Sequence, residues 1–270
     1  MAMNSRRDFI AGTLPLLLTA NLFARTGGQP SKGLTMKSIY HSAESRGQAD
    51  HGWLKARHSF SFANYYDPER MSFGALRVLN DDIIDPGKGF GTHPHRDMEI
   101  VTIPLEGDLK HQDSLGNGTV IRSGEIQVMS AGTGIQHSEF NPNQDRDVKL
   151  LQIWVKPSLN GVKPRYDQIT LDNSGEKNAF RQIVSPDQED EGVWVNQQTW
   201  FDLGDFNART EVEFPIRGDN HGVYLFVIEG SVKIAGQVLE RRDGFGVWDV
   251  EKLDLMIEEN SRVLAITVPM

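Results

Sequence analysis

The 270-residue chain has no cysteine. That excludes disulfides, a thiolate nucleophile, iron–sulfur clusters and Cys-ligated zinc, and leaves His, Asp and Glu as the side chains able to hold a metal ion. Basic charge is scarce too. Lysine and arginine total 28 against 37 aspartates and glutamates, a net charge of −9, with no basic run or stripe. Recognition of nucleic acid through its phosphates needs such a stripe, so nucleic acid is not an expected partner. No segment keeps a 3.6-residue apolar period long enough for a substantial helix. His-Glu-x-x-His, Gly-x-Ser-x-Gly and the Walker lysine motif are all missing. "GKGFG" (87–91) is glycine-rich but leads into a strand-like run, so it offers no helix N-terminus to a phosphate and reads as a loop allowing close backbone approach.

At the N-terminus, Arg6 and Arg7 precede an apolar run from Phe9 to Ala24 that is short and interrupted by Gly12, Pro15 and Asn21. Stable membrane insertion is therefore not expected once this segment is removed. Ser5-Arg6-Arg7-Asp8-Phe9-Ile10 resembles a twin-arginine export signal, which implies the twin-arginine export machinery as a partner and a periplasmic destination. If the leader is not functional, the location is cytoplasmic. Residues 1–33 then form signal plus Gly/Pro/Ser linker, and the folded protein starts near Met36.

Beyond the linker the chain is a succession of short runs rich in Val, Ile and Leu, among them "ALRVLNDDII", "MEIVTIPLEG", "EIQVMSAG" and "VKLLQIWV". Dense turn signals separate them, including Asp85-Pro86-Gly87, Glu106-Gly107 and Asn117-Gly118, so the chain reads as all-β. Past the acidic stretch at 185–192 the grammar repeats. "HRDMEIVTIPLEGDLKH" and "DNHGVYLFVIEGSVKI" share a histidine, an apolar run and Glu-Gly in the same order, which predicts two copies of one barrel in tandem.

The chemistry-bearing residues lie in the first copy. In "GTHPHRDMEIV" (91–101), His93 and His95 are two apart and share one face of a strand; in "SAGTGIQHSEFN" (130–141), His137 and Glu139 do the same. Two such pairs on neighbouring strands place three imidazoles and a carboxylate around a point, an N3O metal site with open positions. Such ligation suits non-haem Fe(II) and also Mn, Ni, Cu or Zn. By parity Glu99 shares the face of His95, as a ligand in place of Glu139, an acceptor for an imidazole N–H, or an interior charge satisfied otherwise. Pro94 cannot donate to a ladder, so its strand is at an edge or begins there. Among the other histidines, His58 reads as a loop or turn residue beside aromatic packing, with entrance lining the other reading. His111, in a polar hairpin, reads as a surface residue. His221 stands in the place of the histidine pair in the second repeat, lacks a companion at 219 or 223, and reads as structural.

"GKGFGTHPHRDMEIVTIPLEG" resembles the first cupin motif and "GEIQVMSAGTGIQHSEFN" the second, and together with "FSFANYYDPERMSFGALRVLNDD" upstream they resemble the bacterial, quercetinase-like members of the pirin family. The resemblance implies a bicupin of two tandem jelly-roll barrels, a metal-binding cupin over 36–165 and a degenerate one over 166–270. It places the ligands on His93, His95, His137 and Glu139, which puts Glu139 ahead of Glu99 as the carboxylate. It implies an Fe(II)-dependent dioxygenase taking O2 and a flavonol such as quercetin, in which Glu139 both holds metal and accepts the substrate proton. The alternative is a non-catalytic metal-bound bicupin serving as a redox sensor or as a ligand- or partner-binding protein. Ser130 stands where the general cupin pattern has proline, and the Gly-Thr-Gly before His137 is shared with pirins.

Overall fold

The computed structural model describes residues 36–171 and 177–270; the leader and the export signal expected in it lie outside the described residues. Among the described residues the only helix is a single 3-10 turn, Ala43–Ser45, and no helix is long and apolar enough to cross a membrane. The strands form two seven-stranded and two four-stranded sheets. In the first half, the large sheet runs in the order Arg165–Thr170, Glu125–Ser130, Glu99–Glu106, Val148–Val155, Leu76–Ile84, Leu54–His58, Gly47–Asp50. The small one runs Gly89–His95, Ile135–Phe140, Asp108–Asp113, Gly118–Arg122. The second half repeats the pattern: its small sheet runs Thr210–Pro215, Lys252–Ile257, Val232–Ile234, Gln237–Leu239. The tandem barrels expected from the sequence repeat are present.

Two strands cross the 165/166 division. Lys37–His41 pairs with Gly244–Trp248 in the second half, and Arg165–Thr170 pairs with Glu125–Ser130 in the first. Each therefore covers an edge of the other half's large sheet and becomes that sheet's terminal strand.

The two large sheets pack against each other, and this explains why their central strands read as continuous apolar runs and not as alternations. In Glu99–Glu106, Val101 and Ile103 enter the core between the halves, with Leu151, Ile153, Tyr224, Phe226, Leu264 and Ile266. Ile100 and Thr102 face the other way, into the first barrel, so both faces are buried. The repeated Glu-Gly turns have a steric cause: Gly107 and Gly230 sit at φ 76° and 78°. A Cβ at Gly107 would come within 2.6 Å of the Asp147 carbonyl.

Candidate metal centre

The edge strand Gly89–His95 pairs only with Ile135–Phe140, consistent with Pro94 lying in it. His93 lies directly opposite His137 in register, and a bulge follows, so that Glu139 faces Phe90. Such a bulge bends the strand and re-aims its side chains. Gly89 permits this close pairing: any Cβ there would collide with the Glu139 carbonyl.

The result is a tight imidazole cluster at the barrel mouth. Ring centroids are 4.4 Å apart for His93 and His137, 4.9 Å for His93 and His95, and 4.8 Å for His95 and His137. His93 Nδ1 lies 2.8 Å from the Gly91 carbonyl oxygen, which can only accept, so Nδ1 carries the proton and Nε2 keeps its lone pair free. His95 packs edge-on to Trp154 at 4.9 Å. His137 is 2% exposed, yet neither ring nitrogen has a hydrogen-bond partner. Burial, then the neighbouring imidazoles, pushes His137 down to about 2; burial and His93 push His95 down to about 4. Both rings are thus neutral at physiological pH, the form in which imidazole binds a metal.

Glu139 joins the cluster through His137. Potential ligand atoms of His93, His95 and His137 lie within 4.8 Å of one another, as do those of His111, His137 and Glu139. The four residues expected from the sequence thus form two overlapping triads sharing His137, and His111 is a fifth member. Glu139 is buried, and both its oxygens accept from Gln152 Nε2, at 3.0 and 3.1 Å. The Thr102 hydroxyl donates to Gln152 Oε1 at 3.0 Å and so fixes which way the amide faces. Burial pushes the Glu139 carboxyl up to about 7, with the Gln152 hydrogen bond opposing.

Four readings from sequence need correction. His111 is not on the surface: Asp108–Asp113 alternates, turning Leu109 and His111 into the barrel and Lys110 and Gln112 out. Its Nε2 lies 3.2 Å from Asp113 Oδ2, which accepts, and its Nδ1 is buried without a partner. Glu99 bonds no imidazole and fills the last of its three roles, an interior charge satisfied otherwise; what fails is the parity that put it on the face of His95. Glu99 accepts from the Ser130 hydroxyl at 2.7 Å and from Asn196 Nδ2, of the second half, at 3.1 Å. Parity fails because the chain turns between His95 and Glu99, with Asp97 at φ 47°, so the two residues belong to different strands. His221 does not stand in the place of the histidine pair. It opens the strand His221–Glu229, which replaces Glu99–Glu106; the counterpart of the histidine strand is Thr210–Pro215. His58, read as a loop residue, ends the strand Leu54–His58, buried against Phe62 and bonded through Nδ1 to Asn80 Oδ1 at 2.8 Å.

The donor set fits a divalent cation. A buried imidazole with two orphan nitrogens, beside two more rings and a carboxylate, lacks the compensation that buried polar groups normally find, and a cation would supply it.

An all-β chain of two tandem barrels, with imidazoles and a carboxylate gathered, among the described residues, in only the first of them, is a bicupin of the cupin class. Residues 40–155 match the family Pirin, and residues 182–268 match the quercetinase C-terminal cupin domain. The chain belongs to the pirin family. It is 44% identical over 231 residues to quercetin 2,3-dioxygenase of Escherichia coli (strain K12), covering 84% of this chain and 96% of that protein. It is 38% identical over 220 residues to a pirin-like protein of Caulobacter vibrioides, covering 82% and 94%. The crystal structure of the bacterial pirin YhhW from Escherichia coli in complex with nickel(II) superposes with a TM-score of 0.82 at 42% identity, covering 86% of this chain and 99% of that one.

Proposed function

We propose that this protein is a metal-dependent dioxygenase that opens the ring of a flavonol such as quercetin with O2. His93, His95, His137 and Glu139 would hold the metal, with Fe(II) ahead of Mn, Ni, Cu or Zn. The observation that carries this reading is His137, buried with both nitrogens unpartnered against His93 and His95. The names of the curated relatives and the nickel in the YhhW structure support it.

A divalent ion bound there supplies Lewis acidity, which makes a nearby hydroxyl easier to deprotonate. The chain supplies the rest. Glu139, buried and reaching the cluster through His137, is placed to accept a phenolic or enolic proton. Gln152 holds both carboxylate oxygens in place while that proton arrives.

Oxygen uptake by the Fe(II)-loaded protein with a panel of flavonols tests the proposal. Uptake that requires both flavonol and metal is expected. Binding without uptake would instead make this a metal-bound sensor or ligand carrier. Glu139→Gln that keeps full turnover and full metal would sink the base role assigned to Glu139. The leader supports export to the periplasm, and cell fractionation of the Arg6→Lys/Arg7→Lys chain checks it. An unchanged location for that variant removes the twin-arginine route.

A further inference from the structure

A second concentration of charge sits between the two halves and shares no residue with the histidine site. It is a cavity of about 320 Å³ whose charged lining is Arg46, Arg57, Lys149, Arg241 and Arg242 against Glu44 and Asp81. That is five cations and two carboxylates (5 − 2 = +3) in a chain whose net charge is −9. Two of the cations are answered from outside the lining. Lys149 meets Glu106 at 2.7 Å and Arg241 meets Glu229 at 2.7 Å, both in exposed pairs of the weak kind.

One of the two buried cations, Arg242, is not fully answered. Arg46 and Arg242 have side chains only 5% and 8% exposed, and both lean on one carboxylate, Asp81, each at 3.2 Å. Arg242 Nη2 reaches Glu229 only at 3.8 Å, and its Nη1 is buried with no acceptor. Arg57, the register partner of Asp81, has no ion pair among the described residues. The backbone accepts strain to keep this arrangement: Arg242 sits at φ 70°, pinned by its N–H on the Val227 carbonyl at 2.6 Å. Two buried guanidinium groups sharing one carboxylate leave a positive charge that a protein interior does not tolerate without a partner.

We propose that this cleft binds a doubly charged phosphate-type oxyanion, carried on a small phosphate monoester. Planar guanidinium forks match phosphate oxygens in pairs, which a point-charge ammonium does not. The cavity lies at the small end of the range for small-molecule sites, about 300–1,000 Å³, which leaves room for a short organic group beyond the phosphate.

Isothermal titration calorimetry on the full, metal-loaded chain tests this, with glycerol 3-phosphate, inorganic phosphate and succinate as probes and sodium chloride at matched ionic strength as the blank. Saturable one-to-one binding of glycerol 3-phosphate is expected, tighter than succinate. Inorganic phosphate binding as tightly as the ester identifies free phosphate as the source and keeps the site. Arg57→Gln and Arg241→Gln, at exposed positions where folding is not at stake, should each weaken binding by about tenfold. Because phosphate also ligates metal ions, the titration is repeated on His137→Ala, where binding should persist. Heats no larger than the chloride blank, an affinity unchanged in both arginine variants, or binding lost in His137→Ala would each overturn the proposal.

Discussion

In the first barrel the strand Ile135–Phe140 turns Ile135, His137 and Glu139 inward; in the second, Lys252–Ile257 turns Leu253, Leu255 and Ile257 inward. The neighbouring strand shows the same contrast: His93 and His95 line the mouth of one barrel, while Val212 and Phe214 close the other. Around them the second barrel is filled without a break by Val223, Leu225, Phe245, Val247 and Ala265. The first divides its apolar contacts into two smaller groups, one around Leu109 and Leu150 and one around Ile100 and Met129. Between them lies a polar layer of His58, Asn80, Asp82, Thr102, Gln152 and the histidine cluster. One sheet order therefore carries two kinds of interior. Hydrophobic filling is the default for a small barrel, and a polar layer survives where most of its members find a partner or a ligand. The second barrel also serves the first directly, since its Asn196 holds Glu99 behind the site.

The largest effect expected from breaking this comparison comes from paired truncations. His137→Ala should lower metal affinity by about a hundredfold or more while leaving the chain folded, because it removes the member common to both triads. Leu255→Ala should leave metal content unchanged and cost about 2–5 kcal/mol of stability, the usual range for emptying a packed core position. Elemental analysis beside denaturant titration reads both. Stoichiometric metal in the His137 variant would refute the site. Next in size is Gln152→Leu, which keeps the volume but releases both oxygens of Glu139. A fall of about ten- to hundredfold in turnover or metal affinity is expected, as for other residues that orient a ligand. Turnover and metal content both unchanged would show that Glu139 needs no clamp.

Much of this contrast is legible in the sequence, and the failures have physical causes. The repeat can be seen because Glu-Gly turns recur where only a positive φ fits, at Gly107 and Gly230. The shared face of His93 and His95, and that of His137 and Glu139, can be seen because parity holds within a strand. Parity does not hold across the turn at Asp97, so Glu99, which it puts beside His95, in fact faces the second half. His111 is hidden by its polar neighbours Lys110, Gln112 and Asp113, although its alternation with Leu109 carries the signal. The clamp by Gln152 and the basic cleft join residues far apart in the chain, and no local pattern marks either.

The smallest effect concerns two buried aspartates that the barrels treat differently. Asp202, on the strand Trp200–Phe206, accepts from Arg217 Nη2 at 2.8 Å through Oδ1 and leaves Oδ2 buried without a partner, while Asp82, on Leu76–Ile84, has its Oδ1 buried without a partner and faces no cation. Burial, followed by the charges of Asp81 and Glu139, holds the Asp82 carboxyl well above its ordinary value of 3.8. A group raised in this way keeps its proton in the folded state after the unfolded chain has released it. Its contribution is complete below the ordinary carboxylate value and is lost as pH climbs through the raised one, so stability falls with rising pH. Asp82→Asn cannot ionise and should flatten that fall, giving a higher Tm than wild type at pH 8 and little difference at pH 4. Asp202→Asn should change the profile less, because Arg217 opposes the effect of burial there and its guanidinium, 34% exposed, can turn to water once its partner is neutral. Melting curves of the two variants across this pH range decide the matter, and a lower Tm for Asp82→Asn at pH 8 would mean that the carboxylate is charged and partnered in the native barrel.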